Sequence, residues 1–130
     1  MTVLDELGAA RYVLLTTFRR DGRAVPTAVW ILPAPGGELA IWTGEDTGKL
    51  KRIRRDHRVT LAPCTVRGRV LGETVPATAR IGDREQTRWA AGRIPRKYGL
   101  IGLSVFLGSL LRNRRIGGVA VFLTLADGRR

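Results

Sequence analysis

At 130 residues, 44% hydrophobic and 26% charged, the chain is read as one globular domain, residues 1–130, able to bury a real core. A single cysteine, Cys64, excludes an internal disulfide, and the sequence holds no Cys/His cluster for a metal. The net charge of +12 should attract polyanions, and of the 23 basic residues only three, Lys49, Lys51 and Lys97, are lysine.

The opening MTVLDELGAARY carries early acids and no long apolar core, unlike a signal peptide. Residues 2–11 read as a short helix, with Thr2 as its cap and Asp5 and Glu6 favoured by the dipole in its first turn. YVLLTTF is β-rich, Asp21-Gly22 marks a hairpin turn, and AVPTAVWIL is the return strand. PAPGG breaks the chain into a loop before ELAIWT, a third strand. EDTGKLKRIRRD reads as a helix, RVTLAPC as a fourth strand, and RGRVLG as a turn. ETVPATARI is a fifth strand, with Val75, Ala77, Ala79 and Ile81 alternating onto one face. Residues 83–94 look helical, 96–112 a glycine-interrupted helix, GGVAVFLTL a closing strand, and 127–130 a frayed polar tail. The longest apolar run, residues 99–111, is too short to span a bilayer, so a cytoplasmic protein is expected.

Six to seven short, mostly antiparallel strands with few helices point to a mainly β fold, closed or half-closed as a barrel because closure removes exposed edges. Strands apolar on both faces, AVPTAVWIL above all, call for a cover of helices or of a second subunit.

Two of the three lysines fall in WTGEDTGKLKRIRRDHR. A strand ending at Thr43-Gly44 meets a helix capped by Asp46 or Thr47, with Gly48 in the first turn, where a ligand can approach the backbone. Unused N–H groups and the positive end of the helix dipole make an anion site there. Lys49 and Lys51 add point charges suited to phosphate, although the two do not share a helix face. A solvated basic helix face explains the same residues without a ligand. Leu50 and Ile53 are expected to face the core.

From Tyr12 to Ile81 the sequence resembles the deazaflavin-dependent branch of the pyridoxamine 5′-phosphate oxidase-like superfamily, in particular small actinobacterial enzymes that use coenzyme F-420. The resemblance is carried by YVLLTTFRRDGRAVPTAVWIL, LAIWTGEDTGKLKRIRRDHRVTLAPC and RGRVLGETVPATARI. It implies a split β-barrel that forms a homodimer with cofactor sites at the interface. In flavin-binding members a Ser-Arg-Lys motif holds the phosphate. Thr47 stands at the Ser, Lys49 at the Lys, and Gly48 where those enzymes have Arg, while Thr43 matches the strand-end Thr. The Gly48 departure favours the deazaflavin, whose longer anionic tail would meet Lys51, Arg52 and Arg55. The resemblance also implies that PTAVW lays its backbone along the tricyclic ring, implicating Pro26, Thr27, Val29 and Trp30, and that APC, with Pro63 and Cys64, lies near the ring pocket.

The expected activity is hydride transfer between coenzyme F-420 and a small organic acceptor. No general acid is named, since the cofactor carries the chemistry. The alternatives are a flavin mononucleotide- or haem-binding protein of the same fold and, from another class, a basic nucleic-acid-binding module. The scattered arginines, not interleaved with aromatics, argue against the last. Trp30 and Trp42 read first as core residues, Cys64 as a small buried hydrophobe, His57 as an exposed imidazole, and Arg67 and Arg69 as surface. The basic-flanked apolar segment at 99–111 reads as a buried or dimer-contact helix, with weak membrane-surface contact as its alternative. Tyr98 is a candidate for the pocket mouth.

Overall fold

The computed structural model describes residues 2–44, 47–94, 97 and 118–126. Helix α1 (Val3–Ala9) opens on a capping box. Thr2 Oγ1 accepts from the Asp5 N–H at 3.1 Å, and the Asp5 carboxylate accepts from the Thr2 N–H at 3.3 Å. Seven strands follow: β1 (Tyr12–Phe18), β2 (Ala24–Val29), β3 (Ile31–Pro33), β4 (Leu39–Gly44), β5 (Arg58–Cys64), β6 (Val75–Ile81) and β7 (Gly118–Leu125). Helix α2 (Gly48–Arg55) joins β4 to β5. A third helix, α3, covers residues 84–94, with Lys97 helical one turn further on.

All the strands form one antiparallel sheet in the order β2-β1-β5-β6-β7-β4-β3. β2 and β3 are therefore the two outer edges, yet Trp30 alone separates them in the chain. The sheet must curl until its edges almost meet, which gives a half-closed barrel. AVPTAVWIL is thus two strands, not one. The reason is instructive: Val29 and Ile31 both point inward and are buried, so the alternation passes Trp30 unbroken while the hydrogen-bonding partner changes from β1 to β4. The PAPGG loop contains a 3-10 turn at Pro35–Gly37, α1 stops at Ala9, and β6 begins only at Val75. Apart from Lys97, the expected helix at 96–112 lies outside the described residues, as do the tail at 127–130, Tyr98 and Asp46.

Two apolar layers result. Inside the barrel, Val13 and Leu15 of β1, Ile41 of β4, Leu61 of β5, Leu123 of β7 and Leu7 of α1 form the main core. Leu50 and Ile53 of α2, both fully buried, join it. Outside, Ala90 and Ile94 of α3 cover Leu32, Ala40, Ala120 and Phe122, with Trp30, Trp42 and Trp89 packed at the margin. Trp30 and Trp42 thus serve as packing residues. β7 shows both layers at once: Val121, Leu123 and Leu125 point inward, while Ala120 and Phe122 point out beneath α3. The Lys97 ammonium ties this cover to the barrel end, donating to the carbonyl oxygens of Gly8, Ala10 and Ile31 at 2.9, 2.7 and 2.5 Å. No helix among the described residues is long and apolar enough to cross a membrane.

Candidate functional site

β4 ends at Thr43-Gly44 and the chain turns into α2 with Thr47 at the N-cap. Thr47 Oγ1 donates to the Gly44 carbonyl at 3.0 Å and accepts from the Leu50 N–H at 3.4 Å. Its hydroxyl proton is therefore committed, and the Thr43 hydroxyl, 3.0 Å away, is the donor to it. The cap satisfies the N–H of the third helical residue. Those of Gly48 and Lys49, in the first two positions, have no acceptor within the helix. Leu50 and Ile53 fix α2 against the barrel, so this N-terminus is held rather than frayed.

Cations gather around it. Lys49 is half-buried, and burial first, then the neighbouring Arg52 charge, lowers its pKa. Lys51 is exposed, as expected for residues on different faces. Arg52 folds back along α2. Its Nε donates to Thr17 Oγ1 at 2.7 Å, and its Nη1 stands 2.7 Å from where a Cβ on residue 48 would be. Gly48 is therefore the residue that makes room for the guanidinium. The Arg52 pKa is lowered by burial and then by the charges of Arg19 and Arg55. Arg55 in turn donates to the Phe18 carbonyl. Among the described residues no carboxylate forms an ion pair with Lys49, Arg52, Arg19 or Arg55, although Arg19 acts on Asp21 and Arg55 on Asp56 from further away. The site is thus a concentration of positive charge at a helix N-terminus, which an anion would relieve.

The remaining residues implicated from sequence divide into two groups. Thr43, Gly44, Thr47, Gly48, Lys49 and Arg52 cluster near Thr17, towards the end of β1. Val29, Trp30, Pro63 and Cys64 gather at its other end, where Val29 and Pro63 both face Val13 and Cys64 faces Tyr12. Four residues of strand, about 13 Å, separate Val13 from Thr17. β2 runs the whole distance. Exposed Pro26 and half-buried Thr27 lie between the groups, and the Thr27 hydroxyl donates to the Leu15 carbonyl at 3.5 Å. Burial raises the Cys64 thiol pKa, which keeps it protonated and unreactive. His57, Arg67 and Arg69 are exposed.

Thr17 and Arg19 were not singled out from the sequence. Thr17 left a trace there: in YVLLTTF it falls in step with Val13 and Leu15, a hydroxyl on the inward apolar face.

No protein-family description matches the sequence, and no curated protein matches it either. Solved structures do match the fold. A putative pyridoxamine 5′-phosphate oxidase from Listeria innocua aligns with a TM-score of 0.66 at 14% identity, over 96% of this chain and 91% of that one. The haem storage protein HutZ from Vibrio cholerae aligns at 0.66 and 13%, over 96% and 89%. An F-420 reductase aligns at 0.61 and 13%, over 97% and 96%. All three alignments run nearly end to end, so the curled seven-stranded sheet is shared as a whole. The chain has the split-barrel fold of the pyridoxamine 5′-phosphate oxidase-like proteins.

Proposed function

We propose that this chain is a cytoplasmic, homodimeric oxidoreductase that binds coenzyme F-420 and positions it for hydride transfer to a small organic acceptor. One observation carries the reading: Lys49 and the folded-back Arg52 stand together at the first turn of α2, the charges of Arg19 and Arg55 act on Arg52, and no carboxylate among the described residues forms an ion pair with any of the four. Coenzyme F-420 supplies the hydride, from C5 of its deazaflavin ring.

In this reading Lys49 and the N–H groups of Gly48 and Lys49 hold the phosphate. Arg52, oriented by Thr17, screens it, and Lys51 and Arg55 meet the tail. The backbone of β2 from Pro26 to Val29 supports the ring, and Pro63 and Cys64 form an apolar wall that excludes water. Leu14, Thr16 and Ala28 are half-buried on the outward face of β1 and β2, and a second copy would cover them.

Flavin mononucleotide is a second reading, supported by the Arg52 guanidinium, which stands over Gly48 where flavin-binding members place an Arg. Titration with coenzyme F-420, flavin mononucleotide and haem decides between them. F-420 should bind most tightly, because four or more cations suit a multiply anionic tail. Equal or tighter binding of the flavin overturns the assignment. Sedimentation at micromolar concentration should show a dimer.

A further inference from the structure

The outward face of the sheet carries a groove of about 570 Å³ beside the hairpin tip. Its floor follows from the register. Thr60 faces Thr16 on one side and Pro76 on the other, and Arg58 faces Thr78, which places Phe18, two residues beyond Thr16, in the same row as Arg58. Phe18, Thr60, Pro76 and Thr78 thus make a floor that is apolar at Phe18 and Pro76.

Arginine forms the rim. Arg58 is engaged by Asp56 at 3.1 Å, and the one carboxylate of the hairpin, Asp21, is taken by Arg23 at 2.8 Å. Arg19 and Arg20 line the groove without an ion pair among the described residues, although the Arg19 charge acts on the Asp21 carboxylate. The groove adjoins the C-terminal end of α2 through Asp56, about 10 Å along the helix from Lys49. The chemistry also differs. Where the α2 turn adds a point charge at Lys49 to its guanidinium at Arg52, the groove offers guanidinium forks alone, which match a carboxylate.

We propose that this groove is a second binding site, taking a small amphipathic anion. An aromatic body lies on Phe18 and Pro76, and its carboxylate pairs with Arg20, a residue outside the charge cluster of α2. The assignment therefore does not rest on the cofactor that α2 holds.

Calorimetry with naphthoate and with neutral naphthalenemethanol, on the wild type, Arg20→Ser and Thr78→Trp, tests it. Both positions are exposed, so both variants should fold. Naphthoate should bind roughly ten-fold more tightly than the alcohol, since only the acid engages the arginines. Arg20→Ser should weaken naphthoate roughly three-fold, the scale of one exposed ion pair. Thr78→Trp should fill the groove and abolish binding. Neither variant should alter affinity for coenzyme F-420, so failure here is distinguishable from failure of the cofactor assignment. Equal binding of acid and alcohol, or binding untouched by Thr78→Trp, overturns the proposal. So does a short oligonucleotide that displaces naphthoate from both variants alike, since that outcome reduces the groove to diffuse basic surface.

Discussion

Arg52 and Thr17, 35 residues apart, are joined by a 2.7 Å hydrogen bond that fixes a guanidinium above the first turn of α2. Thr17 is 1% exposed, and its hydroxyl also lies 3.5 Å from the Val25 carbonyl. Thr17→Val keeps the shape and removes the acceptor. It should cost about 1 kcal/mol of stability, read by denaturant unfolding, and weaken coenzyme F-420 several-fold because Arg52 loses its anchor. Arg52→Lys keeps the charge but cannot reproduce the fork, so it should lose affinity as well. Unchanged binding in both variants would show that Arg52 takes no part in holding the cofactor.

Lys49→Ala should remove a charge-assisted contact of about 1.5–3 kcal/mol, one to two decades of cofactor affinity. Lys51→Ala should cost less, and Arg54→Ala almost nothing. All three should fold, since none is a core position. The depressed pKa of Lys49 adds a pH dependence. Binding needs the ammonium, so affinity should fall as pH rises through that lowered value, earlier than for an ordinary lysine. Lys49→Arg should retain affinity into the alkaline range. Equal losses in Lys49→Ala and Arg54→Ala would mean that only diffuse charge is at work.

These residues show what the sequence made legible and what it hid. The Thr47 cap and the places of Gly48 and Lys49 in the first turn of α2 were readable because they are set within one helical turn. The inward positions of Leu50 and Ile53 were readable from helical spacing. Thr17 and Arg19 were not, because their roles depend on β1 lying beside α2, a relation that no local pattern records. The division at Trp30 was hidden for a related reason: periodicity reports which face a residue shows, and not which strand lies beside it.

Lys97 offers a test of a buried charge. Burial pushes its pKa down to about 8, from an ordinary value of 10.5. Between those values the unfolded chain binds a proton that the folded chain has released, so stability should rise with pH across that window. Below it both states are protonated and the full cost of burying the charge applies. Thermal melts at about pH 7 and about pH 9.5 should show this gain in the wild type and not in Lys97→Met. The substitution should itself cost about 1–3 kcal/mol, because the Gly8, Ala10 and Ile31 carbonyls lose a donor.

Gly118 is held by a neighbour rather than by its own backbone. A Cβ there would lie 1.8 Å from Cζ2 of Trp42 and 2.2 Å from its Cε2, so the indole rests directly on the glycine. Gly118→Ala should displace Trp42 and destabilise by about 1–3 kcal/mol, with a change in tryptophan fluorescence. Gly92→Ala is the control. Its Cβ meets nothing within 4 Å, and in a helix it should stabilise by about 0.5–1 kcal/mol.

The position of β7 has a consequence for how the molecule is made. It is the last of the described strands, yet it sits between β6 and β4 and pairs with both. Without it the sheet is two unconnected pieces, β2-β1-β5-β6 and β4-β3. A nascent chain emerging from the ribosome can therefore assemble its hairpins early but cannot join them until residues 118–125 have cleared the exit tunnel. Until then β4 and β6 each expose an unpaired, aggregation-prone edge. Folding of this domain should accordingly be a late, nearly single event, and a nonsense codon before Gly118 should leave a chain destined for proteolysis rather than a smaller functional protein.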